Sequence, residues 1–208
     1  MQRTKKLTTA KEIQKHIEKT PLKTILFSED FKEYGGAEAV KSALHRMVKT
    51  GGLKRLAKGI YVKPGYSELI KKETVPDLEE VAAAIAKRDR VRLIPTGAMA
   101  LYKLGLSTQI PLRAVYVTDG TARKIPIGNR TITFKQVAPK KLSLKGEIST
   151  LVVQAMSELG KDGLDETTKT RLVELLKKEK YDQLKHDIKL APQWMGEIMA
   201  NALKKWGI

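Results

Sequence analysis

Two glycine pairs, Gly35-Gly36 and Gly51-Gly52, bound the segment that most constrains how this chain folds. Between them, apolar residues recur at helical spacing, which predicts a helix with one buried side. These apolar residues are Ala37, Val40, Leu44, Met47 and Val48. The second glycine pair is typical of a helix C-terminus, where glycine takes the left-handed conformation at little cost. The segment is therefore predicted to form one amphipathic helix over residues 37–50.

The polar side of this helix is mostly basic, and a hairpin is predicted directly after it. Two short runs, Leu53–Leu56 and Ile60–Lys63, flank a tip at residues 57–59. Helices in the DNA major groove contact base edges, while Lys and Arg on an adjacent wing neutralise phosphates. The candidate DNA-contacting residues are Lys41, Ser42, His45, Arg46 and Lys49 on the helix and Lys54, Arg55 and Lys58 on the hairpin. A simpler interpretation of the same residues is an ordinary solvated surface.

Two further elements precede the glycine-bounded helix. Thr9 and Glu12 have the spacing of a capping box and predict a first helix that ends near Pro21. A short second element is predicted over residues 28–34. Three helices followed by a basic-tipped hairpin make the pattern of a winged helix-turn-helix domain.

Charge indicates a polyanionic partner. The 208 residues contain 40 Lys+Arg and 23 Asp+Glu, a formal net charge of +17. Residues 1–75 carry 17 basic and 8 acidic side chains, and residues 76–146 carry 13 and 5. Residues 147–208 carry 10 of each. The excess positive charge therefore belongs to the first two thirds of the chain.

The rest of the chain is predicted to form a small mixed α/β module followed by helices. A linker is predicted over residues 64–76, and Gly128-Asn129 predicts a hairpin turn. The last helix carries a stripe that includes Trp194, Met195 and Met199, which is interpreted as core packing, with a partner surface as the alternative. We predict an α+β fold with a winged helix-turn-helix domain over residues 1–74 and an effector domain over 75–208.

Basic side chains are also spread over the predicted mixed module. They serve either general solubility or a second nucleic-acid surface, and the sequence favours neither. These residues are Arg88, Arg90, Arg92, Arg113, Arg123, Lys124, Arg130, Lys135, Lys140 and Lys141.

The sequence gives little indication of catalysis or metal binding. Cysteine is absent, the three histidines lack metal-ligand spacing, and no phosphate-binding loop, zinc-protease motif or nucleophile elbow occurs. Asp119 follows an apolar strand and is the candidate metal ligand if the chain is a nuclease, although Asp119-Gly120 also fits a turn. We predict a non-enzymatic protein without cofactor or metal.

No apolar run approaches about 18 residues and no secretory signal is visible, so a cytoplasmic protein without a membrane partner is predicted.

Two stretches resemble the AbiEi-like antitoxins of type IV toxin–antitoxin systems. The first is AVKSALHRMVKTGGLKRLAKGIYVKP (residues 39–64), which is similar to the family's recognition helix and wing. The second comprises PTGAMALYKLGLSTQIP (95–111) and VYVTDGTARKIPIGNRTITFK (115–135), which resemble the start of the family's second domain. Together they include about half of the chain.

The resemblance implies a DNA-binding repressor of its own operon whose second domain counteracts a nucleotidyltransferase-like toxin, without requiring a stable complex with it. It also implies a role in phage resistance. The partners expected are double-stranded operator DNA and the toxin, and the expected oligomeric state is a monomer or weak dimer. The alternatives are a nucleic-acid-binding enzyme and a ligand-responsive winged-helix transcription factor without a toxin.

Overall fold

A computed structural model describes residues 8–69, 71–111 and 113–207 of the chain. About 51% of the described residues are helical, with the 3-10 segments included, and about 18% lie in strands. The described residues divide into two units. Unit 1 runs to Ala84 and includes Pro126–Gly128, and unit 2 comprises Ile85–Ile125 and the residues from Asn129 onward. In the described part of the chain, no helix is both long and apolar enough to cross a membrane.

Unit 1 begins with two α-helices, a 3-10 segment at Ser28–Tyr34 and a three-stranded antiparallel sheet. The sheet order is β1-β3-β2, and Leu26 pairs with Tyr61 at its centre. The core contains Ile13, Phe31 and Leu44, all fully buried. The elements in chain order are α1 (Thr9–Lys19), β1 (Ile25–Phe27), the 3-10 segment, α2 (Ala37–Lys49), β2 (Lys54–Ala57) and β3 (Ile60–Val62).

Helix α2 is the helix predicted between the glycine pairs. Val40 and Leu44 are buried, as the apolar spacing predicts, and Ala43 is buried beside them. Of the other predicted apolar residues, Met47 and Val48 are half-buried and Ala37 is exposed. Gly51 has a φ of +80°, in the left-handed region that favours glycine after a helix. The predicted bounds are therefore confirmed to within one residue.

Two predictions in unit 1 are wrong. The capping box is absent, because α1 begins at Thr9 and the cap position belongs to Thr8, whose side chain makes no capping hydrogen bond. The predicted linker is largely a hairpin of β4 (Gly65–Ser67) and β5 (Lys72–Thr74). Strands of three residues are too short to show the alternating pattern by which a sequence reveals them.

Lys63 closes the C-terminus of α1 from a distant position in the chain. Its ammonium donates hydrogen bonds to the carbonyl oxygens of Ile17, Glu18 and Thr20, at 2.8, 2.8 and 2.7 Å. Carbonyls at a helix C-terminus lack partners within the helix, and a cation there also interacts favourably with the helix dipole. Lys63 therefore attaches the end of β3 to α1.

We expect Lys63→Met to lower the free energy of unfolding of the protein by about 1–2 kcal/mol, because three carbonyls lose a charged donor while the aliphatic stem is retained. The matched control is Lys19→Met, an exposed lysine in the last turn of α1. Urea unfolding followed by circular dichroism measures both. Equal stability of the two variants would contradict the role given to Lys63.

Among the described residues, unit 2 combines a four-stranded sheet with six α-helices, the first of which, α3 (Leu78–Asp89), starts in unit 1. The sheet order is β6-β7-β9-β8, with β7 and β9 parallel and β6 antiparallel to β7. The hairpin predicted at Gly128-Asn129 is confirmed between β8 and β9. The elements are α3 (Leu78–Asp89), β6 (Leu93–Pro95), α4 (Ala98–Lys103), β7 (Arg113–Thr118), β8 (Arg123–Ile127), β9 (Arg130–Gln136), α5 (Glu147–Leu159), α6 (Glu166–Leu176), α7 (Tyr181–Leu190) and α8 (Gln193–Ala200), with 3-10 segments at Pro139–Leu142 and Asn201–Trp206.

The Trp/Met stripe of the last helix belongs to the core of unit 2. Met195 and Met199 are buried, and Trp194 and Trp206 pack against the same cluster. Leu172 and Leu184, from α6 and α7, are fully buried in it. The interpretation as core packing is therefore confirmed.

Two acidic side chains from later in the chain cap the N-terminus of α5. Asp187 accepts hydrogen bonds from the backbone N–H groups of Lys145 and Gly146, at 2.8 and 2.7 Å, and from the hydroxyl of Ser149. Glu179 accepts from the backbone N–H of Ile148 at 2.8 Å. Both carboxylates are buried, so they do not contribute negative charge to the solvent-exposed surface of unit 2.

Candidate nucleic-acid interface

The five candidate residues of α2 lie on one exposed face of the helix. Positions 41, 45 and 49 recur every four residues, and positions 42 and 46 form a second row beside them. All five side chains are exposed. Because Val40, Ala43 and Leu44 on the other side are buried, α2 is anchored to unit 1 by one face and leaves the polar face open. The helix therefore presents a cationic stripe to solvent.

The hairpin that follows α2 presents three more cations. Lys54, Arg55 and Lys58 are all exposed, and the chain turns at Lys58-Gly59 between β2 and β3. Gly59 has a φ of +72°, and a Cβ there would lie 2.9 Å from the hydroxyl of Ser28. The tip of the hairpin therefore requires glycine, both for its backbone and for its close approach to the 3-10 segment.

Few of these cations are neutralised by neighbouring carboxylates. Lys41 lies 3.4 Å from Glu38 and Lys54 lies 3.4 Å from Glu73, and both pairs are solvent-exposed. Exposed pairs of this kind contribute about 0–1 kcal/mol and exchange readily for another anion. Within residues 8–69, 71–111 and 113–207, the other four cations form no ion pair: Arg46, Lys49, Arg55 and Lys58.

A cleft of about 610 Å³ connects the start of α2 to the hairpin. Lys41, Arg55 and Lys58 line it, together with Lys32 from the 3-10 segment. Lys32 was not among the residues predicted from the sequence, because the segment SEDFKEY also carries three acidic residues and shows no cationic pattern. Only the packing of the 3-10 segment beside the hairpin brings Lys32 into this group.

Some basic side chains of unit 2 form ion pairs and ring contacts within the unit instead of adding free positive charge to its surface. Arg88 and Arg123 both pair with Asp89, and Arg123 also lies over the Phe134 ring at 5.2 Å. These two arginines lower the pKa of Asp89, although burial alone would raise it. Five others are exposed: Arg90, Arg92, Arg113, Lys124 and Lys135. Arg130 is half-buried, and the side chains of Lys140 and Lys141 lie outside the described part of the structure.

Asp119 is engaged in a turn. It accepts hydrogen bonds from the backbone N–H and the guanidinium Nε of Arg92, at 2.8 and 3.0 Å. These bonds lower the pKa of Asp119. Among the residues that the structure describes, no three His, Asp or Glu side chains are grouped to hold a metal ion. The geometry of Asp119 therefore fits the turn interpretation better than that of a metal ligand.

A protein-family model matches most of the chain. The chain belongs to the family DUF6088, a family of unknown function, whose model matches residues 12–184. The matched range begins in α1, includes all eight candidate DNA-contacting residues and ends in α7. No curated protein matches the sequence.

Proposed function

We propose that this chain is an antitoxin of a type IV toxin–antitoxin system that also binds operator DNA as a transcriptional autorepressor. The observation that carries the DNA-binding part is the exposure of all eight candidate residues on one helix face and the hairpin beside it. A duplex that approaches this surface meets six cations, four of which form no ion pair with a carboxylate among the described residues. The surface therefore suits a polyanion in both charge and accessibility.

The order of elements in unit 1 supports a winged-helix assignment. A helix, a strand, a short helical segment, a second helix and a hairpin follow one another, and β1 joins the hairpin in one sheet. In this assignment α2 is the recognition helix and the β2–β3 hairpin is the wing. Side chains of α2 contact base edges, and Lys54, Arg55 and Lys58 hold phosphates. Lys32 adds a further phosphate contact from the 3-10 segment.

The antitoxin part of the proposal depends on unit 2. The segments that resemble AbiEi-like antitoxins, residues 95–111 and 115–135, contribute to β6, α4, β7, β8 and β9. They thus supply much of the sheet and the helix inserted between β6 and β7. The proposed functional partner is a nucleotidyltransferase-like toxin.

The DNA-binding proposal is tested with the full-length protein and a labelled duplex from upstream of its own reading frame. If 6–10 phosphates are contacted, the affinity falls by about 10³–10⁵ between 50 and 200 mM salt. A scrambled duplex of equal length is the control and binds more weakly. A salt-independent affinity, or equal affinity for both duplexes, would contradict operator recognition.

The antitoxin proposal is tested in cells that express the toxin. We expect the full-length variant Arg46→Ala/Lys58→Ala, produced from an independent promoter, to restore growth as the natural chain does while failing to repress a reporter fused to the operator. Both residues belong to the proposed DNA surface in unit 1, so toxin neutralisation should be unaffected. If neither form restores growth, the chain is a transcription factor without antitoxin activity.

A further inference from the structure

A second cationic groove lies within unit 2, between α6 and the final 3-10 segment. Its volume is about 550 Å³, and four lysines line it together with the apolar side chains of Val173 and Ile198. The lysines are Lys169, Lys177, Lys204 and Lys205. Both apolar residues are half-buried against the core of unit 2, so they form a fixed part of the wall. Glu166 is the one acidic residue in the described lining, so the groove combines a net positive charge with an apolar surface.

One hydrogen bond joins two of the four lysines across the groove. The ammonium of Lys205 donates a hydrogen bond to the carbonyl oxygen of Lys177 at 2.9 Å and lies 4.9 Å from the Trp206 ring. Lys169 pairs with Glu166 at 2.7 Å on the surface of α6. Lys177 forms a similar pair with Glu174, and Lys204 forms no ion pair within the described residues. Exposed pairs within one helix are weak, so a phosphate can replace the carboxylate.

The burial of two acids makes this part of the chain more positive than its sequence indicates. Residues 147–208 carry ten basic and ten acidic side chains. Glu179 and Asp187 are buried at the N-terminus of α5, whereas all ten basic side chains are exposed or half-buried. The solvated surface of the last third is therefore cationic, and the groove is where four of its lysines meet.

We propose that this groove binds single-stranded nucleic acid, with the lysines on successive phosphates and Val173 and Ile198 against the face of a base. A duplex keeps its base faces stacked inside, so it offers phosphates but nothing for the apolar wall. A single strand offers both, because its unstacked bases can pack on apolar and aromatic side chains. This activity is separate from the duplex binding proposed for unit 1 and does not depend on it.

The test measures fluorescence anisotropy of a labelled 12-nucleotide RNA and the matching DNA strand with the full-length protein. If four phosphates are contacted, the logarithm of affinity falls with the logarithm of salt concentration with a slope of about −2.8. We expect Lys204→Glu/Lys205→Glu to weaken binding at least about 25-fold at 0.1 M salt and to reduce the slope to about −1.4. Lys204→Arg/Lys205→Arg should bind as the natural chain does, since the charge is retained.

The matched control is Lys161→Glu/Lys189→Glu, which changes the net charge equally at two exposed lysines outside the groove. This variant should keep most of its single-strand affinity. The groove variant should keep its affinity for operator duplex, which separates this proposal from the function proposed for unit 1. A strand without bases should bind more weakly than the complete strand. Equal losses in the two glutamate variants, equal binding of the strand without bases, or failure of the natural chain to bind would each overturn the proposal.

Discussion

Replacing Arg46, Lys49, Arg55 and Lys58 with alanine is expected to reduce the affinity for operator duplex by about 4 × 10³-fold at 0.1 M salt. These four cations are exposed and have no ion pair within the described residues, so no carboxylate there competes with phosphate for them. Each phosphate neutralised by a protein cation adds about 0.9 to the steepness with which the logarithm of affinity falls against the logarithm of salt concentration. At 0.1 M salt, the loss of one such contact therefore lowers the affinity nearly tenfold. The slope itself should become shallower by about 3.6.

A matched variant separates this surface from net charge. Lys11, Lys15, Lys19 and Lys72 are also exposed residues of unit 1, but they lie outside α2 and the β2–β3 hairpin. Their replacement with alanine removes the same charge and should cost less than about tenfold in affinity, through long-range electrostatics alone. Gel-shift titration over a range of salt concentrations measures both variants, and circular dichroism verifies that they fold. Equal losses in the two variants would mean that the cationic stripe of α2 has no specific role.

Asp187→Ala is expected to lower the free energy of unfolding by about 3–5 kcal/mol, the largest effect on stability that we predict. The substitution leaves the backbone N–H groups of Lys145 and Gly146 without their acceptor, and it leaves the buried hydroxyl of Ser149 with only the carbonyl oxygen of Gly146, at 3.3 Å. Buried donors that lose their partners cost about 1–3 kcal/mol each, although such costs are not fully additive. For a chain of this size, the melting temperature should fall by about 10 °C. Asp182→Ala, an exposed carboxylate in the same helix, is the control and should change it by a degree or two.

The same carboxylate also makes stability depend on pH. Burial alone would raise the pKa of Asp187, but hydrogen bonds from Ser149, His186 and the backbone of Lys145 and Gly146 outweigh it and lower the pKa. A carboxylate whose pKa is lower in the folded state adds stability above its unfolded pKa, about 3.9, and this contribution is lost as the pH falls through the folded value. The natural chain should therefore lose stability from about pH 5 downward more steeply than Asp187→Ala. Parallel pH profiles of the two proteins would contradict this role for Asp187.

Features set by neighbouring residues were predictable from the sequence. The bounds of α2 follow from its apolar spacing and the glycine after it. The end of α4 also depends on neighbouring residues: Gly105 has a φ of +66°, and the N–H of Leu106 donates to the carbonyl oxygen of Leu101 at 2.9 Å. The exposed face of α2 was equally predictable, because burying one side of a helix leaves the other side in water. Local geometry alone determines each of these features.

Contacts between distant residues were not predictable in this way. Asp187 lies 41 residues from Gly146, and Lys63 lies 46 residues from Ile17. Neither pair leaves a periodic pattern, because the partners meet only after helices and strands have packed. The same is true of Lys32, which joins the candidate interface through the position of the 3-10 segment. The hairpin of β4 and β5 was missed because strand pairing stabilises it and its short strands carry no repeat.

The sequence by itself determined which helix has a cationic side and where that helix ends, since helical periodicity and glycine act over a few residues. The tertiary structure alone decided which charges remain in water. It buried Glu179 and Asp187 as caps of α5, paired Arg88 and Arg123 with Asp89, and left the cations of α2 and its hairpin exposed. A carboxylate can be buried only where the packed structure supplies enough hydrogen-bond donors to replace water. Those donors come from segments that are distant in the chain.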